Sequence, residues 1–132
     1  MEGEGRKEDA LLCFQQAWTK ATTDFERFTS AHYVARHQTT IVDKLTWDKT
    51  ALLFALKIDE SMKGAYSSLY LNIAKCYEDL DDFNSADENY KLAFSFTGFL
   101  PDDGYGKMIK DGIINGLERV KSADNQNQKI YE

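Results

Sequence analysis

The amino-acid sequence predicts an all-α protein of about six helices, built as antiparallel helix hairpins that stack side by side. Apolar residues recur at steps of three and four along most of the chain, which is the spacing of one helical face. The 132 residues include one proline and eight glycines, too few for a protein rich in turns and strands. A series of small, aromatic and small residues also occurs twice at the same spacing, at Ala10, Phe14 and Ala17 and at Ala86, Tyr90 and Ala93.

The first helix is predicted from Lys7 and carries the first small–aromatic–small series. It is similar to the second half of a hairpin whose first half is missing or lies on another chain. Thr22, Thr23 and Asp24 mark a break and a helix cap. The second helix is predicted from about Asp24 to Thr40. Its apolar stripe consists of Phe28, Ala31, Val34 and Ala35.

The third predicted helix runs from about Thr46 to Met62, after a connecting segment with the sequence TTIVDKL. The fourth and fifth helices form a hairpin within Ser67–Pro101. Asp81 and Asp82 separate these two helices, and either carboxylate can cap the fifth helix by accepting its first backbone N–H groups.

The sixth predicted helix runs from about Asp103 to Lys121, after the turn LPDDGYG. The two ends of the chain are polar, and we predict flexible tails at residues 1–6 and 122–132. The remainder, residues 7–121, is predicted to be a single helical domain.

The stretch Ser67–Pro101 resembles a tetratricopeptide repeat (TPR), a helical hairpin that stacks on copies of itself. The signature positions of that family fall at Tyr70, Ile73, Ala74, Tyr77, Ala86, Tyr90 and Ala93. The chain departs from the pattern at Tyr70, Ala74 and Gly98, where Trp, Gly and Pro are common. The resemblance implies a right-handed superhelical stack in which the first helix of each hairpin lines a concave groove.

The resemblance also implies which residues contact a ligand, because the second, fourth and sixth helices would face the groove. In TPR domains that hold the terminal carboxylate of a peptide, an Asn in the first helix of a repeat sits among Lys, Arg and Asn side chains. Asn72 matches that Asn, although the full basic set is not reproduced. The expected peptide-binding residues are His32, Arg36, Asn72, Lys75 and Lys107, with Tyr105 over the groove mouth. In the alternative reading, Arg36 and Lys75 only pair with nearby acids such as Asp79.

The predicted function is therefore protein–protein interaction, in which the groove binds a segment of a peptide or protein. One form of this hypothesis has a segment that carries a carboxylate. A second hypothesis is a structural protein that self-associates as a homodimer, because the apolar first helix lies at an open end. The third is a small-molecule enzyme or sensor, for instance through His32 and an Asp of LPDDGYG. We do not predict an enzyme, because the sequence has no recognisable nucleophile motif, phosphate loop or dinucleotide fingerprint.

Composition argues against several other classes. The net charge of −6 disfavours nucleic-acid binding, and no apolar run approaches the roughly eighteen residues of a membrane span. The acidic, polar start is unlike a secretory signal. Cys13 and Cys76 fall within apolar stripes, so we predict buried, reduced thiols and a cytoplasmic protein.

No metal or other cofactor is predicted. His32 and His37 are five residues apart, about 140° around a helix axis, and so do not share a face. Asp102 and Asp103 are too few oxygen ligands for a calcium loop. The stronger reading of their turn is a helix stop followed by a cap.

Overall fold

The computed structural model describes the backbone of residues 2–131 and the side chains of residues 5–123. Within that range the chain forms six α-helices and two short 3₁₀ segments and has no strand, which confirms the all-α prediction. The helices are α1 (Glu2–Lys20), α2 (Asp24–Arg36), α3 (Ile41–Lys57), α4 (Lys63–Asp79), α5 (Phe83–Ser95) and α6 (Gly104–Tyr131). They fall into two compact units, Met1–Met62 and Lys63–Glu132.

The start of α3 differs from the prediction. Only Thr39 and Thr40 of the segment TTIVDKL lie in the connection, because α3 already begins at Ile41. The Thr40 hydroxyl accepts a hydrogen bond from the backbone N–H of Asp43 at 3.2 Å and so caps the helix. The cap is hard to recognise in the sequence, because the β-branched residues that follow Thr40 have a lower helix propensity.

The outer helices extend into the stretches predicted as flexible tails. Helix α1 begins at Glu2, and α6 continues to Tyr131. Many side chains of residues 1–6 and 122–132 lie outside the described residues. The flexibility of both ends and the single domain over residues 7–121 stay predictions.

In the first unit, α2 lies between α1 and α3 and runs antiparallel to both. On one side the ring of Phe14 stacks on Tyr33 with 4.8 Å between centroids. On the other side, Arg27 lies 5.8 Å from the ring centroid of Phe54 in α3. Trp18 closes the unit by meeting the edges of aromatic rings in α3. Aromatic contacts of this kind add specific geometry to the burial of apolar surface.

In the second unit, α4 and α5 form the predicted hairpin. Its turn is short, and Asp82 caps α5 by accepting a hydrogen bond from the backbone N–H of Ser85 at 3.2 Å. Deeper in the hairpin, the buried Ser67 hydroxyl donates to the Ala93 carbonyl at 2.8 Å. This contact satisfies a polar group that would otherwise be costly to bury.

Helix α6 packs on both α4 and α5. A Cβ built on Gly112 would lie 3.5 Å from Leu71, and Arg119 bonds to Glu78. Leu71 and Glu78 of α4 are seven residues apart, and so are their contact residues in α6, Gly112 and Arg119. The contacts follow the same order along both helices, so α6 and α4 run in the same direction. Helix α5 lies between them in the opposite direction.

Tyr90 is the centre of this second unit. Its side chain has no exposed surface, and a Cβ on Gly116 of α6 would come within 2.3 Å of its ring. Gly116 therefore lets α6 approach at a distance that no other residue allows. Small residues of α4 and α5 are likewise fully buried around the ring: Ala74, Ala86 and Ala93.

Candidate functional site

The predicted residue Asn72 lies on a polar row along α4. Asn72, Lys75 and Glu78 follow one another at three-residue steps, so their side chains are neighbours on one side of the helix. Asn72 is half-buried, and its amide makes no hydrogen bond to another described residue. Lys75 is exposed and forms no ion pair within the described part of the chain. The row thus presents an unused amide and an unused cation.

The row ends in a network that joins all three helices of the second unit. The Arg119 guanidinium donates to both oxygens of the Glu78 carboxylate, with Nε 2.8 Å from Oε2 and a terminal nitrogen 3.2 Å from Oε1. The Tyr90 hydroxyl donates to the same Oε1 at 2.6 Å. Bidentate, charge-assisted bonds of this kind fix the orientation of both partners.

The pKa directions follow from these bonds. The hydrogen bond from Arg119 lowers the pKa of Glu78 below its usual range, with Tyr90 and the charge of Lys75 acting in the same direction against burial. Burial, followed by the bond to the Glu78 carboxylate, raises the pKa of the Tyr90 hydroxyl. Glu78 is therefore ionised and Tyr90 protonated near neutral pH.

The α4–α6 face, defined here as Asn72, Lys75, Glu78 and Arg119, carries two positive charges and one negative charge. The Arg119 side chain remains 52 % exposed, so its outer donors are open to solvent. A shallow depression of about 550 Å³ beside Arg119 is lined by α6 alone, and Glu118 adds a negative charge there. The face can accept an anionic group and offers an amide beside it.

In the first unit the structure brings His32 and Arg36 together, as predicted from their one-turn spacing. The Arg36 guanidinium pairs with the carboxylate of Asp48 in α3. Asp48 is 2 % exposed, and the Arg36 side chain is 34 % exposed. A large part of the charge of Arg36 is thus used within the unit.

His32 lies beside this ion pair, among aromatic rings. Its ring centroid is 6.3 Å from that of Phe28 and 5.4 Å from that of Tyr33. Its Nδ1 atom is buried and makes no hydrogen bond. Burial lowers the pKa of His32 and the Arg36 guanidinium lowers it further, while the Asp48 carboxylate opposes both. The neutral imidazole is therefore the favoured form in the folded protein.

Lys107 and Tyr105 lie near the start of α6. Lys107 lines an open cavity of about 550 Å³ formed by the LPDDGYG turn and the first turns of α6, together with Lys110 and Asp111. Tyr105 is 48 % exposed. On α6, Lys107 lies five residues, or about 140°, from Gly112, which faces α4. The structure therefore places Lys107 on a different side of α6 from the α4–α6 face.

The LPDDGYG turn itself has a structural explanation. The Asp103 carboxylate accepts a hydrogen bond from the backbone N–H of Gly106 at 2.9 Å, which caps α6 as predicted. A Cβ on Gly106 would lie 2.0 Å from the Pro101 carbonyl oxygen, so this position requires glycine.

The described residues hold no group of three or more His, Cys, Asp or Glu side chains arranged to bind a metal ion. Over the same residues, no helix combines the length and apolar character needed to cross a membrane. The prediction that both cysteines are buried is wrong for Cys13. Cys76 is 3 % exposed, whereas Cys13 is exposed because, among the described residues of the first unit, no other helix packs on its side of α1.

Sequence reasoning missed three charged residues that the structure makes important. Asp48 lies three residues before the buried Ala51, and a carboxylate inside an apolar stripe is a signal that could have identified it. Glu78 continues the three-residue steps of Asn72 and Lys75. No sequence pattern around Arg119 predicts its contact with Glu78, because that contact depends on how α6 packs on α4.

Comparisons of the chain with protein-family models, with curated proteins and with solved structures gave no match. Any function therefore has to be argued from the residues themselves.

Proposed function

We propose that this chain is a TPR-like protein interaction module that binds a peptide or protein segment with an anionic end on its α4–α6 face. The TPR resemblance is supported by burial at the signature positions. Ile73, Ala74, Ala86, Tyr90 and Ala93 are at most 2 % exposed. The order of the second unit, a hairpin followed by a helix parallel to its first member, is the arrangement that stacked repeats require.

The observation that carries the functional proposal is the half-buried amide of Asn72, which has no hydrogen-bond partner among the described residues. The amide atoms still reach water, so they can exchange that water for a ligand without breaking a bond within the described part of the protein. A bound peptide backbone would satisfy the amide, because a carboxamide can donate to a peptide carbonyl and accept from a peptide N–H.

The charges beside Asn72 favour an anionic end on that peptide. Lys75 lies one turn away on the same row, and Arg119 keeps exposed donors while it is held by Glu78. A carboxylate placed between them would gain charge-assisted hydrogen bonds from a guanidinium that is already oriented. Glu78 is the positioning residue of this face, since it acts on a ligand only through Arg119.

The test is a selection from random peptides that end in a free carboxylate, followed by affinity measurements on the best binder. We expect Asn72→Ala to weaken binding about fivefold, the value of one neutral hydrogen bond of roughly 1 kcal/mol. Lys75→Gln should weaken it to a similar extent. Amidation of the peptide carboxyl terminus should remove the contribution of Lys75.

Two matched variants locate the site. Asn84→Ala removes an exposed amide on α5, and Lys107→Gln removes the predicted contact that lies on another side of α6. Both should bind like the unmodified protein. If Lys107→Gln weakens binding and Asn72→Ala does not, the ligand site is at the LPDDGYG cavity. If no peptide binds the folded protein, the proposal fails.

A further inference from the structure

The outer surface of α1 forms one continuous, unpartnered helical face. Its residues recur at the three- and four-residue steps of a single face, and all of them are exposed. The four central ones carry no charge, and the two at the ends carry opposite charges. In order they are Asp9, Leu12, Cys13, Gln16, Ala17 and Lys20. We call this set the α1 outer face.

The exposure of this face is unusual when α1 is compared with α5. The small–aromatic–small series of α5 is fully buried, because α4 and α6 cover it from two sides. The equivalent series of α1 is not: Ala10 and Phe14 are partly exposed and Ala17 is exposed. Within its own unit α1 packs on α2 and, through Trp18, on α3. The side on which α5 has a second neighbour is therefore open on α1.

The sequence of the α1 outer face is complementary to itself when it is reversed. In an antiparallel pair of identical helices, Asp9 lies opposite Lys20 of the second copy, and Leu12 lies opposite Ala17 of that copy. The same register places Cys13 opposite Gln16. A single alignment of the two helices thus forms all three pairs, and the symmetry of the dimer repeats each pair once. Neither Asp9 nor Lys20 pairs with another described side chain, so both charges are available.

We propose that the α1 outer face binds the α1 outer face of a second copy, antiparallel, about a two-fold axis that passes between Phe14 and Gln15. A two-fold contact of this kind uses the same patch on both copies and closes on itself. The neutral centre is removed from water, and the Asp9–Lys20 pairs at its ends fix the direction and register. The chain carries a net charge of −6, so an uncharged centre also reduces repulsion between the copies.

The outer surface of α6 does not offer an alternative receptor for α1. Its exposed apolar residues Met108 and Ile114 stand beside polar or charged groups at exposed positions, at Lys107, Asp111, Asn115, Glu118 and Ser122. Burial of these charges against Leu12 and Ala17 would be unfavourable without partners. Pairing of α1 with α1 is therefore favoured over a head-to-tail chain.

The natural cysteines supply a direct test. In the proposed register the two Cys13 residues are displaced by three residues along the helix axes, about 4.5 Å. Helices in contact lie about 8–10 Å apart, so a short bismaleimide can join the two thiols. Cys76 is buried and should not react in the folded protein. We expect a covalent dimer from the full chain and none from a Cys13→Ser variant.

Charge exchange tests the register. Sedimentation of the full chain should show a dimer whose fraction rises with concentration. Asp9→Lys and Lys20→Asp should each raise the dissociation constant about tenfold, because each creates two like-charge contacts, and the double exchange should restore it. As a control, Leu92→Glu changes an exposed apolar residue of α5 and should leave the dimer unchanged.

Three outcomes would overturn the proposal. The first is a monomer at all concentrations, which includes the case in which α1 binds only a different protein. The second is a dimer that gives no Cys13 cross-link. The third is a dimer whose dissociation constant ignores both single charge exchanges. None of them bears on peptide binding at the α4–α6 face, so the two proposals fail independently.

Discussion

Replacement of Arg36 by Ala should destabilise the first unit, because it removes the guanidinium that pairs with the buried Asp48. Asp48 is 2 % exposed, so its carboxylate would lose the guanidinium in a site with little access to water. Loss of one partner of a fully buried ion pair costs about 3–5 kcal/mol. Since Arg36 is itself 34 % exposed, we discount this to about 2–3 kcal/mol for Arg36→Ala.

The assay is urea unfolding followed by tryptophan fluorescence. Both tryptophans of the chain, Trp18 and Trp47, lie in the first unit, and their rings meet edge to face at 5.3 Å. Their fluorescence therefore reports the unit that contains the mutation. The free energy of unfolding of Arg36→Ala is compared with that of the unmodified chain at neutral pH.

A double-mutant cycle supplies the control. Arg36→Met and Asp48→Leu should each lose stability, and the combined variant should recover most of it, because two apolar side chains can replace a buried ion pair with little loss. If Arg36→Ala costs less than about 0.5 kcal/mol, or if the two single losses simply add, the ion pair is not the cause. A large loss also means that Arg36→Ala is a poor probe of ligand binding, since it changes folding.

Two further predictions concern packing and pH. Gly116→Ala should lower the free energy of unfolding by about 1–2 kcal/mol, because overpacking against Tyr90 exceeds the gain in helix propensity. The control Gly112→Ala should be neutral or stabilising. Equal stability of the two variants in urea melts would contradict the close approach of α6 to Tyr90. The pKa of His32 is lowered in the folded protein, so as pH falls the imidazole takes up its proton more readily in the unfolded chain, near pH 6.5. The contribution of neutral His32 to the free energy of unfolding should be fully present above that pH and should decrease as pH falls through it. His32→Gln should abolish this slope and His37→Gln should keep it; a flat profile in the unmodified chain would rule it out.

The hairpin of α4 and α5 could be predicted from the sequence because the information is local. The spacing of Tyr70, Ile73 and Ala74 predicts one helical face. Asp82 predicts the start of the next helix, because its carboxylate can cap that helix. The same reasoning was wrong at TTIVDKL, which was predicted to be a connection although α3 begins at Ile41. Thr40 decides the structure there by capping the helix.

The polar contacts of both units could not be predicted in the same way. Arg119 and Glu78 are separated by 41 residues, and their contact exists only once α6 has docked. Asp48 and Arg36 meet across two helices. Cys13 was expected to be buried because its letter pattern is apolar, but burial depends on a neighbour that the sequence of α1 does not reveal.

The turn between α4 and α5 also has a consequence for the order of folding. It closes over Leu80–Asp82, and Asp81 adopts a left-handed backbone conformation with φ of 60°. Closing so short a loop costs little chain entropy, and contacts between near neighbours in sequence form fastest. We therefore expect the hairpin to reach its native pairing early, and the bond between Glu78 and Arg119, which joins residues 41 apart in the chain, to form later. In that order α6 would cover Tyr90 last.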